Sequence, residues 1–242
     1  MRKIQVFPAL QHMLKLISLN WKVIAKFAWP WLALTAALSA FPKLAITSLN
    51  AITPMQAIPL VVGYIASCSI AVSWHRYILL DEMSLPFKLD RPVWNYALRS
   101  TIIGLICFIP LLALAEIFNH LPDYFVPLGM ALSIFILIIL MRLLAGAVAS
   151  ALNTSPISFQ NSLAATKGNN WSILGLLASN VLLTLVVIFT FAIIISVIAA
   201  IMPAIARPVE LLFSIPMQFA VMLLNASFFT TLYGYFFEGR DL

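Results

Sequence analysis

Hydrophobic residues gather into six long blocks, at about 22–41, 57–80, 97–118, 127–152, 171–201 and 209–237, parted by short stretches of proline and polar side chains. An α-helix rises about 1.5 Å per residue, so roughly 20 apolar residues cross about 30 Å of hydrocarbon. Each block meets that length. The breaks fall at Pro42 to Pro59, Asp81 to Pro92, Asn119 to Pro127, Asn153 to Asn170 and Met202 to Pro208, and each supplies the proline or polar cluster at which a helix ends. The pattern predicts an all-α polytopic membrane protein, six transmembrane helices as three hairpins with amphipathic interfacial connectors.

Two segments outside those blocks are amphipathic. Leu10, Met13, Leu14, Ile17 and Ile24 recur at helical intervals, with Gln11, His12, Lys15 and Lys22 on the other side. This order predicts an interfacial helix within 1–21, its lysines at the headgroups and its leucines in the acyl boundary, leading into a bundle over 22–237 and a short tail at 238–242. The segment from Ser155 to Trp171 predicts a second interfacial helix at about 156–167, capped by Ser155, with Pro156 in its first turn and Gly168 in the left-handed conformation that ends it. Met13 aligns with Leu163, Ser18 with Gly168, and Asn20-Trp21 with Asn170-Trp171, while Pro86 to Arg99 offers a looser third copy. Such a repeat makes three units of the chain, each an interfacial helix followed by a helical hairpin.

Composition agrees with a single transmembrane domain over 1–242. Hydrophobic residues make up 63% and charged residues 9%, with a mean hydropathy of +1.04, which excludes an ordinary water-soluble surface. Lysine and arginine sit on alternate flanks: Arg2, Lys3, Lys15, Lys22, Lys26, Arg76, Lys88, Arg91, Arg99, Lys167 and Arg240 on one set, only Lys43 and Arg207 on the other. The asymmetry predicts a multi-pass cell-membrane protein, of the bacterial inner membrane type, with both termini cytoplasmic. The formal charge of +6 is thereby a topology signal and gives no reason to expect nucleic-acid binding. Cys68 and Cys107 lie in apolar blocks without metal or redox spacing and read as packing residues.

Ser162-Leu163, Thr166-Lys167-Gly168-Asn169, Trp171 and Leu174-Gly175-Leu176-Leu177, preceded by Arg142, resemble a bacterial six-helix membrane domain. That domain is found on membrane-anchored glycerophosphodiester phosphodiesterases and, alone, in many uncharacterised inner-membrane proteins. The resemblance covers about residues 140–178. It implies the six-helix fold, and the catalytic phosphodiesterase domain has no counterpart here.

Charged residues within apolar blocks are costly unless paired or hydrated, so they mark candidate sites. Counted from their helix ends, Arg142, Asn180 and Asn225 come out roughly 15, 14 and 18 Å deep, which would let all three meet. Two readings stay open for that cluster: interhelical hydrogen-bond glue, or a site for a lipid phosphate. His75, Arg76 and Glu82, at the end of the second block beside Trp74 and Tyr77, form a candidate headgroup site at the interface. Gly63, Gly104, Gly146 and Gly175 are candidates for close helix contact. No catalytic, cofactor or metal set is recognisable, since the three histidines His12, His75 and His120 are scattered and no phosphate loop or nucleophile and base pair occurs. The expected role is therefore non-catalytic: an accessory or scaffold membrane protein, lipid-interacting, with membrane lipids and a protein partner or second copy as partners. The alternative is a transporter or translocator of small molecules or lipids, in which Pro30, Pro110 and Pro216 kink their helices.

Overall fold

A computed structural model describes residues 3–41 and 53–242. Among these residues the protein is all-helical, with α1 (Val6–Ala40), α2 (Pro54–Leu80), α3 (Arg91–Asn119), α4 (Val126–Ala151), the short α5 (Phe159–Ala165), α6 (Asn170–Ile201) and α7 (Ala206–Phe236). Five of them, α2, α3, α4, α6 and α7, are long and apolar enough to cross a bilayer, so this is a multi-pass membrane protein. Neighbours in sequence pack as hairpins: α1 with α2, α3 with α4, α6 with α7.

The helix ends follow from local chemistry. α2 starts at a capping box in which the Gln56 amide donates to the Thr53 hydroxyl and the Thr53 amide to the Gln56 side chain. Pro54 then takes the first helical position, where its missing N–H costs nothing. The break expected over Pro42 to Pro59 is thus shorter at its far side, with Pro59 inside α2, while Lys43 lies outside the described residues.

The interfacial connectors differ from expectation in each case. The predicted helix within 1–21 is the first half of α1, which runs unbroken to Ala40 because Ser18, unlike Gly168, keeps the right-handed conformation. Most of its stripe faces protein: Met13 and Ile24 are fully buried, and Leu10 and Ile17 pack beside them against α6 and α7, while Leu14 is exposed. The stretch aligned as a third copy is a loop up to Asp90, since Pro86 and Pro92 leave no room for a helix before α3. α5 is shorter than 156–167 and is capped by Ser158, whose hydroxyl accepts from the Asn161 amide. Gly168 does adopt the left-handed conformation, at φ 77°.

Both connectors at this end fold back along the bundle. The Ser69 hydroxyl of α2 donates to the Lys88 carbonyl at 2.9 Å, and Trp31 meets Phe87 edge-on at 4.9 Å, so the loop returns roughly 16 Å from the end of α2. α5 returns along α4 in the same manner: the Ser162 hydroxyl donates to the Arg142 carbonyl at 2.6 Å, nine residues before the end of the helix.

Gly146 makes that approach possible, because a Cβ there would lie 2.5 Å from Ser162 Oγ and 2.9 Å from its Cβ. Gly175 admits Val6 at 3.1 Å in a similar way. Gly63 and Gly104 do not mediate contact; nothing lies within 4 Å of their Cβ positions.

Candidate functional site

The hairpins α3–α4 and α6–α7 meet through α4, and space is left between them beside α2. The result is an open cavity of about 1100 Å³ bordered by α2, α3, α4, α6 and α7. Its walls are mainly apolar, with Phe108 and Leu111 of α3, Leu140 of α4, Ile188 of α6 and Met217 and Phe229 of α7. Gly104 opens onto it, which explains why no neighbour approaches that glycine.

Polar groups enter the wall only as neutral side chains. On the α2–α3 side the Tyr64 hydroxyl donates to the Ala97 carbonyl at 2.9 Å and lies 2.8 Å from the Thr101 hydroxyl, and Ser100 lines the same wall. On the α7 side Gln218 and Asn225 face the space. Asn225 is held from behind, since its carbonyl oxygen accepts from Asn180 Nδ2 at 3.1 Å and its own amide donates to the Val221 carbonyl. No Asp, Glu, Lys, Arg or His is among the described residues lining the cavity.

Arg142 belongs elsewhere. Its Nε donates to Thr166 Oγ1 at 2.8 Å, its Nη1 to Asn170 Oδ1 at 3.1 Å and its Nη2 to the Leu163 carbonyl, so the guanidinium meets neither Asn180 nor Asn225. The expectation that the three share a depth took the ends of α4 and α6 as level. In the fold α6 begins beside Arg142, roughly 14 Å back from the end of α4, and Asn180 lies about 15 Å further along. The two asparagines pair with each other, and the arginine staples α5 and the start of α6 to α4.

His75, Arg76 and Glu82 are also divided. His75 is fully buried, its Nδ1 lying 2.8 Å from Thr230 Oγ1, and its ring packs near Tyr96. Arg76 pairs with Glu82 and donates to the Ala151 carbonyl at 3.2 Å. The helical spacing of seven that would have put His75 and Glu82 on one face ends at Leu80. Asp81 takes the left-handed conformation at φ 56°, which curls Glu82 back to Arg76. No headgroup site made of these three residues is assembled.

The cavity was not foreseen from sequence. A glycine such as Gly104 amid apolar residues looks the same whether it admits a helix or faces empty space, and the hydroxyls of Tyr64, Ser100 and Thr101 carry no motif. Cys68, read as a packing residue, is buried against α3 and α4 and also lines the cavity. Among the described residues no three His, Cys, Asp or Glu side chains are grouped to hold a metal ion.

Comparison with models of known protein families, with curated proteins and with solved structures finds no match.

Proposed function

We propose that this chain is a non-catalytic accessory protein of the cell membrane that holds a lipid or other long apolar amphiphile in its central cavity, with both termini cytoplasmic. The observation that carries the reading is the cavity itself. At about 1100 Å³ it exceeds the roughly 300–1,000 Å³ typical of small-molecule pockets, and it is walled by apolar side chains from five helices. A hydrated ion or sugar would find too few hydrogen-bond partners there, whereas an acyl or isoprenoid chain would replace exposed apolar surface with contact. The hydroxyls at Tyr64, Ser100 and Thr101 and the amides at Gln218 and Asn225 suit an ester or hydroxyl of such a molecule. Uncharged walls supply neither a general base nor a carboxylate to couple an ion gradient.

The resemblance to the six-helix membrane domain fits this role, since that domain also occurs without a catalytic partner. Six crossings are supported by α1, which runs antiparallel beside α2: Asn20 accepts from the Tyr77 hydroxyl and Trp31 donates to Ser69.

Gly104→Phe tests the reading. Open space lies beyond the Cβ position, so the ring should enter the cavity with the fold retained. Mass spectrometry of lipid carried through gentle detergent purification should show the wild type holding a lipid that Gly104→Phe has lost. An unchanged lipid complement in a folded Gly104→Phe protein would exclude the cavity as the site.

One observation favours a translocator as the second reading. Pro110 and Pro216 interrupt the hydrogen-bond ladders of α3 and α7 beside cavity-lining residues, where a helix would bend to pass a lipid. Scrambling of a fluorescent phospholipid in proteoliposomes, abolished by Gly104→Phe, would select it over simple retention.

A further inference from the structure

On the opposite side of α3 from the central cavity lies a second one, of about 480 Å³, between the first turns of α3 and the connector that joins α4 to α5. Arg99 lies in its wall. The side chain is half-buried with Phe159 across it, the guanidinium carbon 5.6 Å from the ring centroid. Its Nε is closed off from the surface and has no hydrogen-bond partner among the described residues. Three other arginines at this end of the bundle are occupied: Arg76 by Glu82 and the Ala151 carbonyl, Arg142 by Thr166, Asn170 and the Leu163 carbonyl, and Arg240 by Glu238 and the Leu79 carbonyl, while Arg91 at the start of α3 is exposed.

The rest of the wall fits an oxyanion. Asn95, Asn153, Thr154 and Ser158 supply neutral polar side chains, and no carboxylate is among the described lining residues. A guanidinium placed against a ring and away from acids keeps its donors for a ligand, and a planar donor fork matches phosphate geometry. Below the polar rim, Leu98 and Ile102 line the same cavity and are 63% and 41% exposed, so an apolar surface leads away from the cation along α3.

We propose that Arg99 and the Asn153–Phe159 connector form a binding site for the phosphate headgroup of an anionic phospholipid, whose chains follow Leu98 and Ile102 along α3. The site does not depend on the central cavity, because α3 separates the two. The phosphate would accept from the guanidinium and from the Asn95 and Asn153 amides, while Phe159 holds the guanidinium plane in place. Free phosphate carries the same chemistry without the tail.

The test uses the whole protein in nanodiscs of phosphatidylglycerol and of phosphatidylcholine, with native mass spectrometry counting the lipids retained. The wild type should hold phosphatidylglycerol in preference to phosphatidylcholine, and Arg99→Gln should lower that preference roughly five- to tenfold, with Arg99→Lys recovering part of it. Retention of phosphatidylglycerol should withstand millimolar inorganic phosphate; displacement by it would make free anion the ligand and overturn the lipid assignment. Equal retention of the two lipids by the wild type, or an undiminished preference in folded Arg99→Gln, would overturn the site altogether. The wild-type preference is read without any variant, so failure of Arg99→Gln to fold does not shield the proposal. Loss of lipid in Gly104→Phe with the Arg99 preference intact would separate this site from the central one.

Discussion

Arg76, Arg142 and Arg240 end on backbone carbonyls from the last turns of helices: Ala151 of α4, Leu163 of α5 and Leu79 of α2 respectively. A helix leaves its last four carbonyls without internal partners, and in an apolar setting each orphan is expensive. Arg76 and Arg240 belong to the flanks read as a record of membrane orientation and Arg142 to the predicted intramembrane cluster; the fold uses all three to close helix ends. Arg142 has the most to lose, because removing it strands the Thr166, Asn170 and Leu163 acceptors together. Arg142→Leu is expected to lower stability by on the order of 2–3 kcal/mol, seen as a fall in the thermal midpoint in detergent, and Arg142→Lys should recover little, since an ammonium cannot reproduce the planar fork. A thermal midpoint unchanged in Arg142→Leu would mean the staple is idle. His12, ahead of the apolar part of α1, offers a pH test. Burial first and the charge of Lys15 second lower its pKa below the ordinary 6.5. The unfolded chain therefore takes up a proton that the folded chain resists, so this contribution to stability is present above about pH 6.5 and is lost as pH falls below it. Thermal midpoints measured between pH 7.5 and 5 should fall less steeply in His12→Gln than in the wild type; parallel curves would remove His12 as a contributor.

At the scale of elements, the chain reversal between α4 and α6 depends on two glycines with different duties. Gly146 lacks the Cβ that Ser162 would strike, and Gly168 supplies a left-handed φ of 77° that lets the chain turn from α5 into α6. Gly146→Ala should cost about 1–3 kcal/mol, as overpacking does when backbone-near atoms cannot give way. Gly168→Ala should cost about 1–2 kcal/mol and Gly168→Asn less, because asparagine tolerates the left-handed region. Unfolding of the three variants in detergent, ranked against the wild type, checks both. Gly168 was legible because a glycine after an amphipathic stretch has one common use. The Thr53 and Gln56 box falls within a stretch whose prolines predict a break up to Pro59, although proline near a helix start is compatible with continuing it. Hairpin pairing was legible from block lengths. The offset between α4 and α6 was not, since apolar blocks record how long a helix is and say nothing of how far it slides against its neighbour. That one missing quantity misplaced Arg142 relative to Asn180 and Asn225.

The whole molecule turns on the role of α1. Five described helices have the length and hydropathy of spans, an odd number that by itself would put the two ends of the chain on opposite sides. α1 packs along α2 from Asn20 beside Tyr77 to Trp31 beside Ser69, in the reverse direction, and continues to Ala40. On the proposed six-crossing reading, this antiparallel pairing with a spanning helix carries α1 across the membrane beside α2. Its buried face agrees: Ile24, Phe27, Ala28, Trp31 and Leu32 pack with Ala66, Ile70 and Trp74 of α2 and with Leu223 and Ala226 of α7. With α1 counted on that proposal, crossings would be even, and the excess of lysine and arginine about α1's start, the α2–α3 loop, the α4–α6 connector and the tail would fall on one side. Reporter fusions at the amino terminus, at Lys88, at Lys167 and at the carboxyl terminus are therefore expected to report cytoplasm, and a fusion at His120 to report the outside. An amino terminus found opposite the carboxyl terminus would reduce the crossings to five and leave α1 as a helix that accompanies the bundle without traversing the membrane.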